Sequence, residues 1–488
     1  MGAILRAAVL AAMVFQIVAA IVWMAYNLTA IPPFNDAREY EILGESLELD
    51  EYRPILYPLF VRAANRLGAW MGVPYKGVVY LSQSLVAFAC ILLALRTVRS
   101  LLADRLDPSI AASRSRLLLA ALYVWSFPMI VFMNFAGMTD APALSMTLLF
   151  LSALLALHFM ERPGRGAWAQ LVLSFVVGSL VRGDRSYLFL AWGTVLTLAL
   201  FAFRPGRRWR RLSVLVALVL SFAVVMGVNR ATQTPGCHGR PKTTFSFVLL
   251  DRVVWPHMVE CLELFPPEIR EIVSRHDAKL FDRDNNNVMY YMAPLVVDAV
   301  GREHGEELFR VMAKTVFLAK PFRVSYEIVH DVAKAFFAPF AQTVEIYNVR
   351  CHRKPSRCIN PYCYNFRNFL TRTPVLARIL NVGGLHLFVL LFLGAVAWRI
   401  RTKSLRSAVR DARRVLVVFL GFAMMLALFY GLGDGAHPNS RYSLVSDFNW
   451  ALVLLLLLSL RRASPAAQSG SSAPSGSQPY PAPDPSAP

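Results

Sequence analysis

Long apolar runs set apart by short arginine-rich loops leave this chain few ways to fold. A helix needs about 20 apolar residues to cross the roughly 30 Å hydrocarbon core of a bilayer. Inside that core only helices and closed barrels satisfy their own backbone groups. About ten runs read as helical spans at this length: approximately Ile4–Tyr26, Val78–Leu95, Leu117–Phe135, Ala141–Met160, Trp168–Val181, Tyr187–Phe203, Leu212–Val228, Leu385–Ile400, Val415–Leu432 and Trp450–Leu460. With 56% of its 488 residues hydrophobic, the chain reads as an all-α polytopic membrane protein. The fifth run is short for a crossing, which suits little tilt or a locally thinned bilayer. The first apolar stretch, Ala7 to Tyr26, is too long for the core of a signal peptide and lacks a small-x-small cleavage site. It is expected to remain as a span.

A formal net charge of +20 would suggest nucleic acid in a soluble protein. Here the positive charge sits in short loops between spans: Arg96, Arg99, Arg105, Arg114 and Arg116; Arg162 and Arg165; Arg204, Arg207, Arg208, Arg210 and Arg211; Arg399 to Arg414; and Arg461 with Arg462. All fall on one side if both termini are cytoplasmic, which is the positive-inside arrangement of a cell-membrane protein. No nucleic-acid partner is expected.

The opposite, extracytoplasmic side then carries the first outer loop (27–77), the turn at 137–140, the turn at 182–185, a long region (230–382) and the segment 433–447. The organisation is an N-terminal membrane module (1–229), the long outer region, C-terminal membrane helices (383–462) and a Ser/Pro/Ala/Gly-rich tail (463–488). The tail has too little apolar surface to fold and is expected to be disordered in the cytoplasm.

In the first outer loop Tyr40, Leu43 and Leu47, then Leu56, Leu59 and Phe60, recur at helical spacing with acids between them, so amphipathic helices at the interface are expected. In the long region, Glu306–Ala319 and Val324–Phe337 read as helices separated by Pro321. Cys90 lies in an apolar run as a packing residue. Cys237, Cys261, Cys351, Cys358 and Cys363 all fall in the long outer region, where disulfides are favoured over a zinc site because their spacing matches no zinc pattern. Five is odd, so at least one lacks a partner among them. Asp282, Asp284 and Asn285–Asn287 look like part of a calcium loop but lack its glycine and terminal glutamate, so they read as a polar turn.

The polar residues of the outer side carry the chemistry. Asp36, Glu39 and Tyr40 project from the start of an interfacial helix, and Arg53-Pro54 with Tyr57-Pro58 can fold back over it. Arg182, Asp184 and Arg185 interrupt an otherwise apolar stretch from Ala167 to Phe203. A charge at mid-bilayer costs about 2.5–3.5 kcal/mol on insertion scales, so these belong at headgroup depth. They form either a simple ion-paired outer turn or a clamp for a lipid phosphate, and the two are compatible. His437, Arg441 and Tyr442 are either solvated or a phosphate or sugar contact, as are Arg53 and Tyr57.

The order of these motifs resembles a family. Asp36-Ala37-Arg38-Glu39-Tyr40 after the first span, followed by Arg53-Pro54-Ile55-Leu56-Tyr57-Pro58, is similar to the first outer loop of the GT-C glycosyltransferases. Within them the chain looks most like the group holding protein O-mannosyltransferases and the aminoarabinose transferases of lipid A. Met138-Thr139-Asp140-Ala141-Pro142-Ala143-Leu144, Ser179-Leu180-Val181-Arg182 with Asp184-Arg185, and His437-Pro438-Asn439-Ser440-Arg441-Tyr442 resemble further family pieces in the same order. The likeness covers roughly the first 230 residues and the last outer turn.

The resemblance implies a sugar transferase that takes a polyprenyl-phosphate-linked donor and a glycan, lipid or protein acceptor at the outer face. It makes Asp36 the base and Asp140 a second acid that places the acceptor. It also admits a divalent cation between Asp36 and Asp140, a feature that varies across the superfamily. Arg53, Tyr57, Arg182, Arg185, His437, Arg441 and Tyr442 would bind donor phosphate or substrate, with Glu39, Tyr40 and Asp184 in support. Arginine suits phosphate through its planar fork of donors. The rival readings are a flippase for a lipid-linked sugar, which typically shows repeated halves that are absent here, and a scaffold whose outer region binds a partner.

Overall fold

The computed structural model describes residues 2–27, 35–47, 49, 53–134, 139–203, 207–232, 253–276, 288–345, 375–433 and 444–461. A few side chains within these segments, including those of residues 35–38, lie outside the description. Among the described residues the protein is all-α, and the β-contact recorded there is an isolated bridge between Leu106 and Leu460.

Helix α1 (Gly2–Asn27) leads to two short helices, α2 (Asn35–Ser46) and α3 (Leu56–Met71). Both lie where amphipathic interfacial helices were expected. Gly72, at φ 67°, ends α3 in the left-handed conformation that glycine takes without steric cost. Helix α4 (Tyr75–Leu101) follows, then a single turn α5 (Pro108–Ala111), α6 (Arg114–Trp125) and α7 (Pro128–Asn134). The expected continuous third span, Leu117–Phe135, is thus broken between α6 and α7. Pro128 lacks an N–H and pushes the residue before it out of the helical region. Ser126 closes the end of α6 by donating its hydroxyl to the Tyr123 carbonyl at 2.7 Å.

Four further helices complete the N-terminal part: α8 (Asp140–Phe159), α9 (Arg165–Val181), α10 (Asp184–Phe203) and α11 (Arg208–Thr232). The long region then supplies α12 (Met258–Cys261), α13 (Pro267–Ser274), α14 (Val288–Val300), α15 (Arg302–Ala319), α16 (Pro321–Phe336) and α17 (Ala338–Glu345). The chain closes with α18 (Val375–Arg401), α19 (Leu405–Gly433) and α20 (Leu444–Ser459). Among the described residues six helices are long and apolar enough to cross a membrane: α4, α8, α10, α11, α18 and α19. The described apolar part of α1, together with α9 and α20, is shorter.

Helix α8 is the hub, packed between α4 and α9. It is buried on nearly every side, so it shows no amphipathic face. Its hydroxyls satisfy themselves: Ser145, Thr147 and Ser152 donate to the carbonyls four residues back at 3.0, 2.7 and 2.6 Å. Phe150 stacks on Phe189 with ring centroids 4.3 Å apart. Small residues admit close approach elsewhere. A side chain on Gly421 would meet the Trp192 ring, and one on Gly431 would meet Val332.

Residues 253–324 bury a second, separate apolar cluster around Val254, Ile269, Met312 and Val316. Cys261 is buried in it as a free thiol, while Cys237, Cys351, Cys358 and Cys363 lie outside the described residues, as does the Asp282–Asn287 turn. The expected helix boundary at Pro321 is present, with the proline opening α16 as its first residue. Helices α16 and α17 join the main bundle. Helix α16 runs against α19, and α17 packs on α18 and α20. Phe340 meets Phe388, Phe392 and Trp450 at 5.7, 5.2 and 5.5 Å between ring centroids, and the Trp450 indole donates to the Phe336 carbonyl at 2.7 Å.

The arginine-rich loops gather at one end of the bundle. There Arg461 N donates to Arg105 O, and Asp107 N donates to Ser459 O, both at 2.9 Å. Arg207 and Arg210 cap the end of α8 through the Met160 carbonyl at 2.8 and 3.1 Å. A cation at a helix C-terminus meets both unpaired carbonyls and the negative end of the helix dipole.

Candidate functional site

The charged turn between α9 and α10 lies at the opposite end, where it meets the start of α8. Helix α9 stops because Arg182 turns extended, at φ −147° and ψ 112°, and α10 begins two residues later. This reversal brings the charged residues of the turn to Asp140, the first residue of α8. Arg182 Nη1 donates to Asp140 Oδ1 at 2.5 Å, and its Nε lies 3.2 and 3.1 Å from the two oxygens of Asp184. One guanidinium therefore bridges two carboxylates. Asp140 is 3% exposed, and its Oδ2 is buried with no hydrogen-bond partner among the described residues.

Tyr430, near the end of α19, closes the other side. Its hydroxyl donates to Asp184 Oδ2 and lies 3.4 Å from Arg185 Nη1. The Arg182 guanidinium stands 5.9 Å from the Tyr430 ring centroid, within cation–π range. Two arginines and two aspartates balance in formal charge, which is what makes their burial tolerable.

The first-loop helices cover this network. Pro54 lies 3.6 Å from where a side chain on Gly183 would begin. Tyr57, at the start of α3, is buried and accepts from Gln83 Nε2 at 2.7 Å. Burial pushes its phenol well above the ordinary value, and the Tyr40 and Asp140 charges add to this against the Gln83 hydrogen bond. Tyr57 is therefore a neutral phenol, and its own proton is left to donate. Tyr40 packs edge-on against it at 4.8 Å, while Arg53 pairs with Glu39 and stands 5.6 Å from the Tyr40 ring centroid.

Of the residues singled out in the sequence, the fold joins Asp140, Arg182, Asp184 and Arg185 in one network. Tyr57, Tyr40, Glu39 and Arg53 form an adjoining group. Asp36 belongs to the first turn of α2, but its side chain lies outside the described residues. His437, Arg441 and Tyr442 also lie outside them. Sequence reasoning missed Tyr430 and Gln83. Both sit inside apolar runs and carry no local signal. It also missed a second buried polar pair, Asp447 of α20 and Gln342 of α17, whose Nε2 lies 3.1 and 3.2 Å from the two carboxylate oxygens. An acid at the start of the last apolar run was the clue to that pair.

The cation site expected between Asp36 and Asp140 lies partly outside the described residues, because the Asp36 side chain does. The position between the carboxylates of Asp140 and Asp184 is held by the Arg182 guanidinium, and among the described residues no three His, Cys, Asp or Glu side chains converge. Chemically, the arrangement offers a fixed carboxylate oxygen on Asp140, oriented by Arg182 and ready to accept a hydrogen bond. Neither the family models nor the curated proteins compared with this chain match it.

Proposed function

We propose that this protein is an integral-membrane glycosyltransferase of the GT-C type, with about ten spans. It moves a sugar from a polyprenyl-phosphate donor to a glycan, lipid or protein acceptor at the extracytoplasmic face. The observation that carries this reading is the buried Asp140–Arg182–Asp184 bridge beneath the first-loop helices, at the end opposite the arginine-rich loops.

In this reading the acceptor hydroxyl or amine attacks the anomeric carbon of the donor sugar. The bond from that carbon to the phosphate oxygen breaks, and its electrons leave with the polyprenyl phosphate. The acceptor proton passes to the Asp36 carboxylate, the general base. Asp140 positions the acceptor through its unpartnered Oδ2, and Arg182 holds that carboxylate in place through its Oδ1. Tyr57 donates a hydrogen bond to the reacting groups. Arg53, Arg185, His437, Arg441 and Tyr442 provide the contacts to the departing phosphate and the sugar.

Purified protein with a lipid-linked sugar donor tests this. Asp36→Asn is expected to abolish transfer while the protein still inserts and folds. Full transfer by that variant would remove Asp36 from the base role. Unchanged lipid-linked sugars and glycans in a deletion strain, read by mass spectrometry, would overturn the transferase assignment itself.

A further inference from the structure

At the arginine-rich end, far from the network just described, α1, α4, α6, α18 and α20 do not close on one another. They leave a cavity of about 650 Å³, within the range of small-molecule sites. Met13, Val98, Ala120, Trp398 and Leu456 represent the five walls, and Leu10, half exposed, marks its mouth. Along α20 the lining runs from Leu452 to Leu460. At 1.5 Å per residue that is about 12 Å, close to the depth of one leaflet of a roughly 30 Å core.

The polar rim has a different character. Arg99, Arg116 and Arg461 stand there against a single acid, Asp107. Asp107 is already engaged by Ser109, whose N and Oγ lie 3.0 and 2.7 Å from its Oδ1. Each arginine holds the loop through one nitrogen: Arg99 Nη1 to Ser113 O at 3.2 Å, Arg116 Nη1 to Ser109 Oγ at 2.7 Å, and Arg461 Nε to Leu106 O at 2.7 Å. A guanidinium has five N–H donors, so donors remain for an anion. An apolar shaft one leaflet deep under a cationic rim matches one amphiphile, an acyl chain below a phosphate. Basic pockets between membrane helices on the cytoplasmic side bind anionic headgroups for this reason. The tail from residue 463 has no such apolar chain to offer, being rich in Ser, Pro, Ala and Gly.

We propose that this cavity is a binding site for an anionic phospholipid of the leaflet at the arginine-rich end, with an acyl chain in the shaft and the phosphate on Arg99, Arg116 and Arg461. The site is independent of the transferase reading. It ties α1 and α20, the first and last described helices, to α4 and α6 through a bound lipid.

Native mass spectrometry of the full-length protein, titrated with phosphatidylglycerol or phosphatidylcholine, tests the proposal. Phosphatidylglycerol is expected to be retained in preference, and less so as ionic strength rises. Arg116→Gln should weaken its retention about fivefold, the worth of one arginine near an anionic headgroup. Ala120→Trp should abolish retention by filling the shaft. Equal retention of the two lipids by the unaltered protein would overturn the proposal, and needs no variant to fold. So would unchanged retention in folded Ala120→Trp protein. Retention of polyprenyl phosphate in place of phosphatidylglycerol, lost in folded Ala120→Trp protein, would overturn it too.

Discussion

Arg182 and Asp140, 42 residues apart in the chain, form a 2.5 Å ion pair that joins the α9–α10 turn to the first residue of α8. Asp140 is almost wholly buried, and Arg182 also holds Asp184, so the guanidinium is the shared counter-charge of two carboxylates. Removing one partner of a buried pair costs about 3–5 kcal/mol, because the remaining charge is stranded. Arg182→Gln is therefore expected to lower thermal stability sharply in detergent. Adding Asp140→Asn should recover part of that loss, a coupling of about 0.5–3 kcal/mol in a double-mutant cycle. Strictly additive melting shifts would show that the pair is not coupled.

At the other end, Arg399 is fully buried and donates to Leu457 O at 2.7 Å and Leu460 O at 2.6 Å. These are carbonyls at the end of α20 that have no further helical turn to accept from. Arg399→Ala leaves them unpaired, at a cost of about 1–3 kcal/mol. Hydrogen exchange should rise first in the last turn of α20. A variant with unaltered melting and exchange would remove Arg399 from the capping role.

Gly431 sits where α16 crosses α19, and a methyl group there would run into Val332. Overpacking of this kind costs about 1–3 kcal/mol. Gly431→Ala is expected to loosen α16 from α19 and raise protease sensitivity across residues 321–345. Because Gly431 adjoins Tyr430, the same variant should weaken the hold on Asp184. Gly394, whose added side chain would meet open space, is the control, and Gly394→Ala should be silent.

Glu260 ties α12 to the start of α16. It accepts from Lys320 and from Arg323 Nη1 at 3.1 Å. The Lys320 hydrogen bond, with Arg323 and Lys320 beside it, holds the carboxyl below its ordinary value of 4.5. A depressed acid stabilises the fold above its unfolded value, and that contribution disappears as pH falls through the folded one. Protection from hydrogen exchange at the start of α16, relative to the intrinsic amide rate at each pH, should therefore be level above about pH 4.5 and fall below it. Glu260→Gln should be less protected at neutral pH and lose the acid-dependent step in protection. Parallel pH profiles for the two proteins would refute this link.

The sequence by itself determined the class of fold. Apolar runs of span length require helices, because a bilayer offers no partner for backbone groups. Proline then marked a helix boundary, as at Pro321. The charged residues 182–185 stood out for the same reason, being costly anywhere but at the membrane surface. Periodicity could not reveal the break at Ser126–Phe127, since both halves are equally apolar. Nor could it reveal that α16 and α17 join the main bundle. Only the tertiary structure decided that Arg182 bridges Asp140 and Asp184, that Tyr430 and Gln83 belong beside them, and that five helices leave a lipid-deep cavity under Arg99, Arg116 and Arg461. Hydropathy is a property of each segment along the chain. Pairing and cavity shape depend on which faces of distant helices meet, and no local stretch encodes that.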